Sequence, residues 1–217
     1  MFDFDGTILD TEHAEFQGLT DVFESHGASI SHDDITPFIG TTSEIPWPAL
    51  LRSRTLKPFD EQKVRDAKTA AVRHHINLLT PRDGVLELFD VAKSRGMTLG
   101  IASNAPRLWV HHHIRRLGLA AYFDVMLGVD DVPVGKPHPQ VYLDVCQQLR
   151  VPPEHALAIE DSPTGAAAAL AAGMTCVACP TPVTASARFD DRCLRVTTLI
   201  DVWINDRHEL HLGTRDS

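Results

Sequence analysis

The stretch VLELFDVAKSRGMTLGIASN, residues 85–104, decides how the chain folds. Val85, Leu88, Phe89 and Ala92 recur at helical spacing, and Gly96 can close that helix in a left-handed turn. Met97 to Ala102 is then a short apolar run that stops at Ser103, which reads as a strand. The unit returns downstream. Val141, Tyr142, Val145 and Leu149 mark a helix, Ala156 to Ile159 a strand ending at Glu160 and Asp161, and Thr164 to Ala172 an alanine-rich helix stopped by Gly173. Strands alternating with helices predict an α/β fold, a parallel sheet covered by helices on both faces.

Upstream the pattern differs. Phe16, Leu19 and Phe23, with a stop at Gly27, predict one helix; Asp60 can cap a longer one carrying Val64, Ala67, Ala71 and Ile76. We expect residues 12–80 to form an inserted α-helical cap, with Thr36 to Pro48 as a loop, and residues 1–11 and 81–204 to form the core. The polar residues 205–217 read as a loose tail. At 217 residues and 43% hydrophobic, the chain can bury such a core with an appendage. A net charge of −9, with scattered Lys and Arg, argues against an electrostatic grip on nucleic acid or an anionic membrane. No apolar run reaches the ~18 residues of a spanning helix, and the amino terminus shows no signal-peptide pattern, so we expect a cytoplasmic protein. Four irregularly spaced cysteines agree with a reducing compartment, and Cys176 and Cys179 read as parts of a buried strand rather than a metal or redox pair.

The chemistry gathers at strand ends. Phe2-Asp3-Phe4-Asp5-Gly6-Thr7 places two acids two residues apart before a glycine that permits a turn, so both can reach one ligand. Ser103 with Asn104, Lys136 in Gly135-Lys136-Pro137, and Glu160-Asp161-Ser162 each fall where a parallel strand should end, the edge at which open α/β sheets bind ligands. Together they suit phosphoryl transfer: carboxylates hold a hard cation, a hydroxyl and backbone amides receive phosphate oxygens, and a lysine offsets the crowded charge. His111, His112 and His113 fan out around a helix and cannot chelate together, and His74-His75 is read in the same way.

These motifs, in order and spacing, resemble the haloacid dehalogenase superfamily, and within it the helical-cap branch of phosphoglycolate phosphatases, sugar-phosphate phosphatases and β-phosphoglucomutase. The resemblance implies a Rossmann-like core and an Mg²⁺-dependent phosphomonoesterase acting on a small phosphate ester. It implies that Asp3 is the nucleophile and forms an aspartyl-phosphate. Asp5 would be general acid and base; Ser103, Lys136, Asn104, Gly6 and Thr7 would bind phosphate; Asp3, Asp5, Glu160 and Asp161 would hold Mg²⁺. The cap would close over the site, with Trp47, Arg52 and Arg54 as candidate contacts.

Asp5 favours phosphate esters over carbon–halogen bonds, since dehalogenases of the superfamily carry a different residue there. Phosphonatases likewise depart from the two-acid pattern. A mutase is the nearer alternative. Thr7 stands where mutases tend to have Val, Glu15 aligns with a cap histidine, and Thr41-Thr42-Ser43-Glu44 lacks the arginine expected to grip a second phosphate. A phosphate-sensing receiver-like protein is the non-enzymatic alternative; receivers are shorter and lack the helical insertion. Only Met1 and Phe2 precede Asp3, a short first strand, from which we expect the natural strand to begin upstream of Met1.

Overall fold

The computed structural model describes residues 1–35, 45–207 and 209–213. The chain divides into two compact units, one of Met1–Leu9 with Thr80–Ser217 and one of Asp10–Leu79.

In the first unit, helices and short strands alternate: α5 (Val85–Ser94, numbered after the four helices of the second unit), β1 (Gly100–Ala102), α6 (Arg107–Arg116), β2 (Val125–Leu127), α7 (Gln140–Leu149), β3 (Leu157–Glu160), α8 (Pro163–Ala171), β4 (Thr175–Ala178) and β5 (Leu194–Arg195). β1 pairs in parallel with β2, and β3 with β4 and β4 with β5. Phe2 joins these groups by parallel bridges to Ile101 on one side and Ile159 on the other. Its N–H donates to Gly100 O at 2.8 Å and its carbonyl accepts from Ala102 N at 3.0 Å, while Asp3 N donates to Ile159 O at 3.0 Å. The residues leading into the first motif are thus the middle of a parallel sheet. Its carboxyl edge collects Asp3, Ser103 and Glu160. β1 and β4 are almost wholly buried, as expected of strands with helices on both faces.

Local chemistry explains the connections. Gly84 opens α5 at φ +86, and a Cβ there would lie 2.4 Å from the Leu199–Ile200 backbone. Ser162 caps α8 by accepting from Gly165 N at 3.1 Å, followed by Pro163 in the first turn. Phe2 packs edge-on against Phe89 of α5 at 4.9 Å, whereas Phe4 lies over His113 of α6 at 6.3 Å, so the short strand is held by apolar contact on both sides. Of the three consecutive histidines, His113 is buried, His112 exposed and His111 between, the spread that helical geometry requires.

The second unit holds α1 (Thr11–Ser25), α2 (His32–Ile35), α3 (Trp47–Arg54) and α4 (Glu61–Leu78). Asp10 caps α1 and Asp60 caps α4 through their side chains. α1 and α4 approach so closely that a Cβ on Gly18 would meet Val72 Cγ2 at 2.4 Å. Leu19, Val22, Phe23, Trp47, Leu51 and Val64 form the core of this unit. The stripe of α4 runs Val64, Val72, Ile76, with Ala71 half-buried; Ala67, expected on it, is exposed. Residues 36–44, including the Thr41-Thr42-Ser43-Glu44 stretch, lie outside the described residues, but Trp47 and Pro48 open a helix rather than ending a loop. A second correction concerns the carboxyl-terminal segment. β6 (Val202–Ile204) and β7 (Leu210–Leu212) form an antiparallel pair, so the residues after Asn205 are not simply loose. Trp203 stacks on His211 at 4.2 Å across that pair, and its neighbours Val202 and Ile204 are buried. No described helix is long and apolar enough to cross a membrane.

Candidate active site

Asp3 stands at the end of the central strand, and the chain then turns at Gly6, φ +83. That turn needs glycine twice over: the φ is left-handed, and a Cβ would lie 2.2 Å from Asp161 Oδ2. Thr7 Oγ1 donates to Asp161 Oδ1 at 3.4 Å, and Thr184 Oγ1 donates to the Asp161 carbonyl at 2.9 Å. The backbone of Gly6 and the hydroxyl of Thr7 therefore lie against Asp161. Arg82 fastens the same turn to the residues that follow β4, its guanidinium donating to Gly6 O, to Cys179 O at 3.0 Å and to Pro180 O at 3.1 Å.

Lys136 lies across the acids. Its Nζ donates to Asp3 Oδ1 at 2.6 Å and to Glu160 Oε1 at 2.7 Å, with all three residues buried. The loop carrying it is clamped by Asn104, whose Oδ1 accepts from Lys136 N at 2.8 Å and whose Nδ2 donates to Lys136 O at 3.1 Å. The Lys136–Pro137 peptide bond is cis. Tyr142, buried on α7, donates to Glu160 Oε1 at 2.6 Å and places its ring 4.8 Å from Lys136 Nζ. Burial raises the Asp3 carboxyl above the ordinary range, Lys136 opposing and Glu160 and Asp5 adding to the rise. Against the cost of its own burial, the charges of Asp3 and Glu160 hold the Lys136 ammonium above its ordinary value.

Asp3, Glu160 and Asp161 each bring a carboxylate oxygen within 4.8 Å of the others, and all three are buried. Lys136 supplies one positive charge against these three. Glu160 Oε2 is buried with no hydrogen-bond partner among the described residues. An orphaned buried carboxylate oxygen in an acid-rich cluster is costly unless a cation meets it. The donors are hard oxygens, the set a divalent ion such as Mg²⁺ takes, so the residues fit such an ion.

Asp5 does not join that trio; its Oδ1 accepts from the Trp109 indole Nε1 at 3.1 Å. Ser103 is buried at the end of β1, its Oγ accepting from Ala105 N at 3.0 Å. Sequence reasoning did not single out Tyr142, Trp109 or Arg82. Tyr142 sits in the apolar stripe of α7 and reads as core, Trp109 follows no motif, and Arg82 shows only as a charge at a boundary. The candidate contacts of the helical unit are otherwise engaged: Arg54 pairs with Asp34 at 2.5 Å, Arg52 with Glu61 at 3.1 Å, and Trp47 is buried.

The sequence profile of the haloacid dehalogenase-like hydrolases matches residues 1–179, most of the chain and every acid named above. The chain belongs to the haloacid dehalogenase-like hydrolases. Its relatives agree with the assignment to subfamily I of that family. YhcW of Bacillus subtilis is 33% identical over 202 residues, spanning 93% of this chain and 92% of that one. A phosphorylated carbohydrates phosphatase of Thermotoga maritima is 34% identical over 174 residues, 80% of this chain and 81% of that one. The crystal structure of CbbY from Rhodobacter sphaeroides in complex with phosphate superposes with a TM-score of 0.67 at 27% identity, covering 91% of this chain and 92% of that one. The fold is the α/β fold of the family, and the chain is an enzyme, a hydrolase of its phosphatase type.

Proposed function

We propose that this hydrolase is an Mg²⁺-dependent phosphomonoesterase that acts on a small phosphorylated metabolite through an aspartyl-phosphate on Asp3. The observation that carries the reading is Lys136 Nζ bridging Asp3 and Glu160, at 2.6 and 2.7 Å, inside a buried carboxylate trio at the carboxyl edge of a parallel sheet. Asp3, Asp161 and Glu160, with the main chain of Asp5, would hold the ion, which when bound offsets charge on the transferring phosphoryl group. Asp3 attacks phosphorus as the bond to the leaving oxygen breaks, and Asp5 gives that oxygen its proton. Asp5 then takes a proton from the water that displaces Asp3, releasing inorganic phosphate. Ser103 Oγ and the amides beside Asn104 donate to the phosphoryl oxygens, and Lys136 keeps Asp3 oriented and its charge compensated. Asp5 supports ester hydrolysis over dehalogenation, and the named activity of the Thermotoga maritima relative supports a sugar phosphate over a phosphoprotein. Four unpaired cysteines support a reducing, cytoplasmic setting.

Turnover of 4-nitrophenyl phosphate should require added Mg²⁺, stop with a chelator, and fall by about 10³-fold or more in Asp3→Asn. Equal rates with chelator, or in Asp3→Asn, overturn the reading. A panel of sugar phosphates with 2-phosphoglycolate then ranks the substrate class by kcat/KM.

A further inference from the structure

We infer that Trp109 is a positioning residue for the proton transfer at Asp5, biasing which carboxylate oxygen carries the proton. The inference rests on the reading of Asp5 as general acid and base.

An indole N–H donates and cannot accept. With Trp109 Nε1 3.1 Å from Asp5 Oδ1, that oxygen is held as an acceptor, and because the carbonyl oxygen of a protonated carboxyl accepts better than its hydroxyl, a proton on this carboxyl is favoured on Oδ2. A donor so placed biases the carboxyl toward carrying its proton on the other oxygen.

The donor itself is braced. Arg107 N, at the start of α6, donates to Asp130 Oδ1 at 2.6 Å, and Gly128 approaches so closely that a Cβ would lie 2.3 Å from that nitrogen. One turn further on, His113 packs edge-on against the Trp109 ring at 4.3 Å and lies over Phe4, the residue before Asp5. Arg116 Nε donates to His113 Nδ1 at 3.2 Å, which fixes that ring in turn. The indole and the residue just before the acid it orients therefore share one column of packed rings.

In the reaction, the Asp5 proton passes from Oδ2 to the leaving oxygen as its bond to phosphorus breaks and the bond from Asp3 forms. The indole N–H stays in place and then holds the carboxylate that receives a proton from water. General acid help matters most when the leaving group is basic. Phenyl phosphate and 4-nitrophenyl phosphate are close in shape and differ in leaving-group basicity, so the ratio of their kcat values reads this step.

Trp109→Phe keeps a ring without the donor, and Trp109→Leu is read in its place if the first variant does not fold. We expect kcat for phenyl phosphate to fall about tenfold more than kcat for 4-nitrophenyl phosphate, with KM for the two esters moving together. Asp5→Asn, measured alongside, should steepen the same ratio further. If it does so and the Trp109 variants leave the ratio unchanged, the positioning role is overturned while the role of Asp5 stands. If Asp5→Asn leaves the ratio unchanged, the reading of Asp5 itself falls. A rise in KM with an unchanged kcat ratio would make Trp109 a binding platform and would equally overturn the inference.

Discussion

Both units of the chain contain ion pairs, and they use them differently. In the catalytic unit Lys136, Asp3 and Glu160 have side chains 3%, 10% and 0% exposed. In the helical unit Arg52 and Glu61 are 59% and 44% exposed, and Arg65 repeats the contact with Glu61 one helical turn away. Water already screens the second set, so its pairs are worth little. The first set has been taken out of water, so each charge depends on its partner and the arrangement is costly to hold. A cost of that kind is expected where chemistry, not stability, sets the requirement.

Removing one member of each set tests this contrast most sharply. Lys136→Met leaves Asp3 and Glu160 buried without their cation; we expect about 3–5 kcal/mol lost in urea unfolding and at least about 10²-fold lost in turnover. A smaller effect lies beside the site. Burial, reinforced by the charges of Arg116 and His112, pushes the His113 imidazole down to about 4, below its ordinary 6.5. The unfolded chain then binds the extra proton first as pH falls, so stability declines from about pH 6.5 to about pH 4 and the decline stops below that. The loss should reach up to about 3 kcal/mol, and the His113→Leu unfolding midpoint should lack this slope. At the low end, Glu61→Gln in the helical unit removes two exposed pairs at once and should move the urea midpoint far less than Lys136→Met, with the difference shrinking in salt. A loss from Glu61→Gln as large as that from Lys136→Met would break the contrast.

The units also differ in how far their sequences can be read. Strand ends in the catalytic unit are abrupt, an apolar run stopping at Ser103 or Glu160, so Asp3, Ser103, Lys136 and Asp161 could be singled out as a set by their places at strand ends, while their roles came from the family resemblance. What pattern does not carry is a contact between distant elements. The hydrogen bond of Tyr142 to Glu160 joins α7 to β3, and the periodicity of α7 accounts for Tyr142 without it. The bond from Trp109 to Asp5 spans 104 residues and leaves no local trace. Asn104 could be read as a loop residue, but not that its amide would grip the backbone of Lys136. In the helical unit the amphipathic stripes were legible in outline. Ala67 was misassigned because alanine fits a buried or an exposed helical position equally well, and the start of α3 was missed because Pro48 reads as a breaker although proline suits a first helical turn. The β6–β7 pair escaped because residues 205–209 are polar and the strands they join are each three residues long.

Gly165 carries a lesson for anyone engineering this enzyme for heat resistance. It lies in the first turns of an alanine-rich helix, where exchanging glycine for alanine ordinarily gains up to about 1 kcal/mol. Here the added methyl would fall 2.1 Å from both carboxylate oxygens of Glu160 and push that acid from its place. A sequence-based stabilisation scheme would choose this position early, and the clash with a buried acid would cancel the expected gain as well as displace Glu160.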